Sequence, residues 1–311
     1  MSMDKSAIFI DAGFLLAIGG QRTVGTSLRS AVTVDYRQLI EGLFKACDAL
    51  RGLDPLRMYW YDAAKDGLPT NDHKTVAGTS GVKLRLGRIS VNGDQKGVDL
   101  KLGLDLVGLA RNRAASVAFL MSGDDDLGEA VEQAQDLGMQ VVLLALPKKE
   151  NRLGVDSVSE DLALRVDSIE FLDDSLLTGA FRRTQTVPKQ QSVPQTPKPA
   201  PPTTTLPRVL PRNAPAAQPE ILHTSDSASV PWPTILQIAA DVGARVAENW
   251  LATVTQGDVN HLREERPLLP LEVDRVLIKD CASRIGEAKT DIQDVRKALR
   301  ASFWEHLDEL N

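Results

Sequence analysis

The chain is poor in cysteine and aromatic residues, and it lacks a long hydrophobic run. Only two of its 311 residues are cysteines, and Cys47 and Cys281 lie too far apart to suggest a disulfide framework or a metal-ligand pair. The apolar run after the polar N-terminus is interrupted at once by Asp11, so neither a secretory segment nor a membrane span is predicted. We therefore expect a soluble, cytoplasmic protein with no membrane partner.

Glycine-rich nucleotide motifs are also missing. No GxGxxG sequence follows any predicted strand, which argues against nicotinamide or flavin chemistry. None of the four histidines lies near an acidic motif, so the sequence offers no mixed histidine and carboxylate zinc site. If a metal is bound, oxygen ligands must hold it.

Proline is concentrated in one segment. Twelve of the 17 prolines lie between Pro188 and Pro233, where no helix, sheet or packed core is expected. Residues 182–229 carry six Lys or Arg and two acids, a net charge of +4, and are predicted to form a disordered linker. The linker either acts as a spacer or binds a polyanion weakly. It divides the chain into predicted domains at residues 1–181 and 230–311.

The first 181 residues alternate short apolar runs with segments of helical period. This pattern predicts an α/β fold, a Rossmann-like three-layer α/β/α arrangement with a mostly parallel sheet of about six strands. The predicted strands are 7–10, 57–61, 82–86, 116–121, 140–145 and 168–171. The predicted helices are 35–50, 71–79, 97–112 and 126–137, with Asp35 and Gly138 as end signals.

Residues 230–311 show apolar residues at helical spacing and predict a small all-α domain of three to four helices. Trp250 and Trp304 are expected in its core. Its net charge of −4 argues against a strong nucleic-acid footprint. We expect a role in protein interaction or self-association, with an RNA-recognition module as the alternative.

Acidic residues follow two predicted strands. Asp11 ends the first, and the turn at 122–126 (SGDDD) follows the fourth. Ligands of open parallel sheets bind beyond the carboxyl ends of the strands, and carboxylates packed so tightly repel one another unless a cation neutralises them. Each acid could instead be a helix N-cap. In an extended turn, Asp125 would point away from Asp124 and Asp126.

A third acidic position opens the helix after residue 97. Asp99 lies in its first turn, where the helix dipole alone could also explain a negative charge. Asp105 lies about 120° round the same helix, so it is the weaker candidate. Lys96 and Arg88 could contact nucleic acid, and Ser122 could bind a neighbouring carboxylate or phosphate. Lys83 and Arg85 must be paired if a helix covers their strand face, and they could bind phosphate if that face is open.

Four segments, in this order, resemble the NYN family of LabA-like, PIN-like nucleases. They are 11–15 (DAGFL), 95–99 (QKGVD), 105–107 (DLV) and 122–127 (SGDDDL). The resemblance implies a PIN-like fold and metal-dependent ribonuclease activity on RNA with Mg²⁺ or Mn²⁺. The matching catalytic and metal-binding acids are Asp11, Asp99, Asp124 and Asp126. Many members have Asn three residues after the first Asp, where this chain has Phe14.

Two function classes follow. The first is a metal-dependent endoribonuclease, which the acidic motifs predict. The second is a non-catalytic or weakly catalytic PIN-like adaptor that binds RNA or protein, which Phe14 and the helical domain favour. An aspartyl-phosphate phosphatase is a minor third option. Such a site requires a second acid two residues after the nucleophilic Asp, and the residue two positions after Asp11 is Gly13.

Overall fold

The structure is a computed structural model that describes residues 5–65, 67–89, 95–149, 151–184 and 231–309. We call residues 5–184 the α/β unit and residues 231–309 the helical unit. The predicted linker from residue 185 onward lies outside the described residues. No described helix is long and apolar enough to cross a membrane.

A seven-stranded sheet forms the centre of the α/β unit, with strand order β5-β4-β3-β1-β6-β7-β8. Six strands run parallel, and β5 pairs antiparallel at one edge. A separate two-stranded sheet joins β2 to β9. The strands are β1 Ser6–Asp11, β2 Val32–Val34, β3 Pro55–Lys65, β4 Val82–Ile89, β5 Gln95–Lys96, β6 Val117–Met121, β7 Gln140–Ala145, β8 Ser168–Phe171 and β9 Phe181–Arg183.

Helices cover both faces of this sheet, which gives the expected three-layer α/β/α fold. Four helices pack on one face and three on the other. The first group is α1 Ala12–Thr23, α2 Tyr36–Arg51, α3 Asn71–Ala77 and α7 Ser175–Ala180. The second group is α4 Val98–Arg111, α5 Gly128–Asp136 and α6 Glu160–Arg165.

The central strands are apolar throughout because both of their faces are buried. In β1, residues 7–10 have no exposed surface, and successive side chains enter opposite cores. Phe9 stacks on Tyr59 with ring centroids 5.3 Å apart, while Ile8 and Ile10 enter the other core. The aromatic run 59–61 of β3 is buried, and its side chains also enter the two cores alternately.

The two predicted end signals, Asp35 and Gly138, both occur at helix ends, and Gly52 adds a third that was not predicted. The Asp35 carboxylate accepts a hydrogen bond from the Gln38 amide (3.0 Å) and caps α2. Gly52 ends that helix in the left-handed region, with φ of 61°. Gly138 follows α5 with φ of 89°.

The helical unit contains five helices, one more than the upper predicted number. They are α8 Trp232–Leu251, α9 Gln256–Glu264, α10 Leu271–Ile285, α11 Glu287–Thr290 and α12 Gln293–Glu309. Trp250 and Trp304 are buried in its core, as expected. The same core includes Leu28 and Ala31 of the α/β unit, so the two units pack directly against each other.

Buried hydrogen bonds reinforce this contact. The Asp280 carboxylate in α10 accepts hydrogen bonds from the Thr26 hydroxyl (3.0 Å) and the Ser27 amide (3.1 Å). Lys148 donates to the backbone oxygen of Ser283 (3.2 Å). A helical unit merely tethered by the linker would show none of these contacts.

The structure departs from the expected boundaries in two places. Arg182 and Arg183, assigned to the linker, lie in β9 and pair with β2. The short elements β2, β5, α6, α7 and β9, together with the longer α1, were not predicted. The short segments offer too few residues to show a period, and α1 carries two adjacent glycines, Gly19 and Gly20, which weaken a helical signal.

Candidate metal centre

Asp11 and Ser122 lie side by side at the carboxyl edge of the sheet. Ile10 of β1 is paired with Met121 of β6, so the next residues of these adjacent strands emerge together. The Ser122 hydroxyl contacts Asp11 Oδ2 at 3.4 Å. Asp11 Oδ1 also accepts a hydrogen bond from the Phe14 amide (3.2 Å), so Asp11 is the N-cap of α1. The cap fixes the carboxylate at the end of its strand.

The acidic turn is a short 3₁₀ helix over Asp125–Leu127. Asp124 Oδ1 accepts a hydrogen bond from the Asp126 amide (3.1 Å), which closes the turn. Carboxylate oxygens of Asp124, Asp125 and Asp126 all lie within 4.8 Å of one another. The turn is therefore not extended. Contrary to the expectation for an extended turn, Asp125 does not point away from Asp124 and Asp126.

Gly123 lets this turn pass close to two other segments. A Cβ atom at this position would lie 2.3 Å from the backbone oxygen of Ser157 and 2.7 Å from the Phe14 ring. Any larger residue must displace one of these neighbours. The Phe14 side chain thus packs against the acidic turn. This is the residue whose place the family resemblance would give to Asn.

The acids act on one another electrostatically. Burial raises the pKa of Asp11 to about 6, and the negative charge of Asp99 adds to the shift. Burial likewise raises the pKa of Asp124, with further contributions from the charges of Asp99 and Asp126. Asp99 lies in the first turn of α4, after Gly97 with φ of 76°. The structure therefore brings Asp99 within electrostatic range of both strand-end acids.

The donor set suits a hard cation. The tight group at 124–126 offers carboxylate oxygens only, which are the ligands that Mg²⁺, Mn²⁺ and Ca²⁺ prefer. Asp11 and Asp99 lie outside that group of mutually close oxygens. Asp126 is exposed, whereas Asp11, Asp99 and Asp124 are half-buried. A cation at this edge would neutralise charges that the protein otherwise leaves in mutual repulsion.

The three predicted substrate residues differ in exposure. Arg88 is exposed on β4, and its backbone pairs with Lys96 of β5. The Lys96 side chain lies outside the described residues. Ser122 is fully buried, and its hydroxyl contacts Asp11 and the Asp124 amide (3.4 Å). Ser122 therefore supports the carboxylates and has no surface open to a substrate.

Asp105 belongs to a separate ion pair. Arg85 donates two hydrogen bonds to its carboxylate, at 2.8 and 2.7 Å, and the Tyr61 hydroxyl donates a third at 2.9 Å. These bonds satisfy Asp105 on the face of β4 that α4 covers. Arg85 is thus paired, as a covered face requires, while Lys83 remains exposed.

Several residues beside the acids were not predicted from the sequence. A cleft of about 930 Å³ lies between the two units, and its lining includes Phe14, Asp124, Lys149, Lys279 and Arg284. The positive charge of Lys279, in α10, is close enough to lower the pKa of Asp11 against the effect of burial. No local motif could indicate this contact, because it arises only when the two units pack together.

Comparisons with known proteins agree with the motifs. A family model described as "NYN domain" matches residues 5–165, just over half of the chain. The chain is 45% identical over 75 residues to "Uncharacterized protein y4oD" of Sinorhizobium fredii, a match that covers 24% of this chain and 35% of that protein. The chain thus matches about a third of the length of this relative.

The comparison with solved structures matched one chain over part of its length. The crystal structure of a Vibrio parahaemolyticus protein of unknown function matches 56% of this chain and 96% of that chain. The sequence identity is 16% and the TM-score is 0.39.

Proposed function

The chain belongs to the NYN domain family of PIN-like nuclease domains, and on that premise we propose that it is a metal-dependent endoribonuclease that hydrolyses RNA phosphodiester bonds. One observation carries the proposal. The Ser122 hydroxyl lies 3.4 Å from both Asp11 Oδ2 and the Asp124 amide, so acids of two motifs far apart in sequence meet at one sheet edge, and the charge of Asp99 raises the pKa of both. Such an edge is where ligands of open parallel sheets bind.

Mg²⁺ or Mn²⁺ fits the donor chemistry of this edge. Asp11, Asp99 and Asp124 would hold the ion, directly or through water, and Asp126 would complete the ligand set or orient the attacking water. When bound, a divalent ion supplies positive charge that stabilises the attacking and leaving oxygens of phosphodiester hydrolysis. NYN and PIN-like nucleases typically use divalent metals.

The remaining side chains hold this set in place. Ser122 bridges Asp11 and the Asp124 amide from below the edge, and the Phe14 amide fixes the Asp11 carboxylate. Arg88 and Lys96 would contact the substrate from the β4–β5 edge, next to the start of α4. Basic residues bind the phosphate backbone whatever the base sequence of the nucleic acid. These two residues would therefore account for binding but not for a preference among RNA sequences.

A non-catalytic adaptor is the second candidate, and Phe14 favours it. Its ring lies against Gly123 and lines the cleft, so it offers no polar group with which to position water. In that case the acids would bind a cation or a partner without hydrolysis. Leu268 and Leu271 of the helical unit are exposed and would suit a protein partner or self-association.

The two buried cysteines are free in the structure, which fits the cytoplasmic location that we propose. The test of the nuclease proposal is incubation of the full chain with end-labelled RNA in Mn²⁺, Mg²⁺ or EDTA. We expect internal cleavage products with either ion and none in EDTA. Intact RNA in all three conditions would leave the adaptor as the function.

A further inference from the structure

The cleft beside the acids is built by both units. The α/β unit contributes the acidic turn, Phe14 and the loop after β7, and the helical unit contributes the last two turns of α10. Its volume of about 930 Å³ is at the upper end of the range for ligand pockets, roughly 300–1,000 Å³. Asp124 and Asp125 of the acidic turn therefore line a cleft between the two units.

Five cations line this cleft, and three of them form no direct ion pair within the part of the chain that the structure describes. Lys149, Lys279 and Arg284 make no hydrogen bond or ion pair with any described residue. The charges of Asp11 and Asp280 act on Lys279 without such a pair. Nearby Lys148 differs, because it contacts Asp156 (3.5 Å) as well as Ser283. Cations that form no direct ion pair keep their donors open to the phosphate of a bound ligand.

The position of Lys279 is fixed by its neighbour in sequence. Asp280 is 3% exposed and is hydrogen-bonded to Thr26 and Ser27, which sets the rotation of α10 about its axis. Lys279 then lies toward the cleft, where its charge acts on Asp11. The contact that docks the helical unit therefore also positions the Lys279 ammonium group.

Arg284 lies beside a second arginine. Burial and the charge of Arg245, in α8, lower the pKa of the Arg284 guanidinium, and the charges of Asp280 and Asp241 act against this shift. The Arg284 guanidinium is exposed and lines the cleft. Arginine binds a phosphate group with two parallel hydrogen bonds.

We propose that the helical unit is the second wall of the substrate site, where Lys279 and Arg284, with Lys149 of the α/β unit, bind the phosphates of a single RNA strand that flank the acids. The proposal rests on the proposed function, because it takes RNA as the polyanion. We take one strand as the ligand because the volume of the cleft, about 930 Å³, suits a few nucleotides. Lys279 and Arg284 are then positioning residues, not catalytic ones.

The test measures binding separately from cleavage. Fluorescence anisotropy gives the affinity of the full chain for a labelled single-stranded RNA over a series of salt concentrations, with Ca²⁺ in place of Mn²⁺. A gel at the end of each titration verifies that the RNA is intact. The variants are Lys279→Gln with Arg284→Gln, and Lys297→Gln, which removes an exposed lysine of α12 outside the cleft.

The slope of log K against log salt reports the number of phosphates neutralised, about 0.7 per contact for a single strand. We expect the double variant to lose about 1.4 from the magnitude of this slope and Lys297→Gln to leave it unchanged. Lys279→Arg should retain the parent slope. An unchanged slope in the double variant, or a duplex that binds as tightly as the single strand, would overturn the proposal.

The outcome separates this proposal from the proposed function. If the slope falls in the double variant but the parent cuts no RNA in Mn²⁺, the helical unit binds RNA and the protein is not a nuclease. If RNA is cut but the slope is unchanged, the helical unit does not bind the substrate. A parent chain that binds no RNA would overturn both.

Discussion

The Asp280 carboxylate, in α10, accepts hydrogen bonds from both the amide and the hydroxyl of Ser27, at 3.1 and 2.5 Å. This contact joins the helical unit to the loop that precedes β2, and both residues are buried. It is the polar centre of a contact whose apolar part includes Leu28 and Ala31. The helical unit is thereby held against the α/β unit.

Asp280→Ala tests this docking. The substitution leaves buried donors of Thr26 and Ser27 without an acceptor, so we expect a loss of about 2–3 kcal/mol in the free energy of unfolding. Urea unfolding followed by circular dichroism measures it. Glu305→Ala, an exposed residue of α12, is the control and should change the midpoint little. Equal midpoints for the two variants would show that the contact does not stabilise the protein.

Asp11→Asn should stabilise the metal-free protein at neutral pH. The folded carboxyl has its pKa raised to about 6, whereas an unfolded one loses its proton near 3.8. The free energy of unfolding of the parent therefore falls by up to about 3 kcal/mol as the pH rises from about 3.8 through about 6, and that of the variant does not. Thermal unfolding in EDTA at pH 4.5 and 7.5 measures the difference between the two proteins, which should grow with pH.

Added Mn²⁺ provides the control for that result. The ion stabilises whichever protein binds it, so at pH 7.5 the parent should gain more in melting temperature than Asp11→Asn. A variant that is no more stable than the parent in EDTA at pH 7.5 would contradict the burial argument. An equal gain with Mn²⁺ in both proteins would exclude Asp11 as a ligand.

Asp99→Asn and Asp105→Asn should differ sharply, although both residues lie in α4. We expect Asp99→Asn to weaken Mn²⁺ binding by about tenfold or more in calorimetry, since it removes a charge coupled to both strand-end acids. Asp105→Asn disrupts the contacts with Arg85 and Tyr61 and should reduce stability by about 1–3 kcal/mol without changing Mn²⁺ affinity. Equal loss of Mn²⁺ affinity in both variants would place the site elsewhere.

Gly123→Ala should distort the acidic turn. The added methyl group would clash with the Ser157 backbone oxygen and the Phe14 ring, so we expect a loss of about 1–3 kcal/mol in stability together with weaker Mn²⁺ binding. Gly108→Ala is the matched control because nothing lies within 4 Å of its added atom. It lies inside α4 and should stabilise the protein by about 0.5–1 kcal/mol. Similar melting curves for the two variants would contradict the packing argument.

Much of this site could be predicted because it depends on local patterns. The β7 and β8 bounds match the predicted strands, and parallel strands bring their carboxyl ends to one edge, which places Asp11 beside Ser122. The helical period separated Asp99 from Asp105 before any contact was known. The position of Asp125 depended on the turn geometry, which the hydrogen bond from the Asp126 amide to Asp124 decides.

The cleft could not be predicted in this way. Ser27 and Asp280 are 253 residues apart, and an interface between them leaves no periodic signal in either segment. From the sequence alone, Lys279 is indistinguishable from a solvated lysine on an amphipathic helix. Its place in the cleft follows only from the packing of α10 against the α/β unit. Contacts between units depend on packing of whole surfaces, and a single sequence does not record which surfaces meet.

The most direct test of the central claim is the rate of RNA cleavage by the parent, Asp124→Asn and Asp136→Asn in saturating Mn²⁺. Asp136 is an exposed acid at the end of α5, outside the acidic edge, and serves as the control. Loss of several kcal/mol of metal-assisted stabilisation predicts at least about a 100-fold lower rate for Asp124→Asn and an unchanged rate for Asp136→Asn. If Asp124→Asn cuts RNA as fast as the parent, the acidic edge is not the catalytic site.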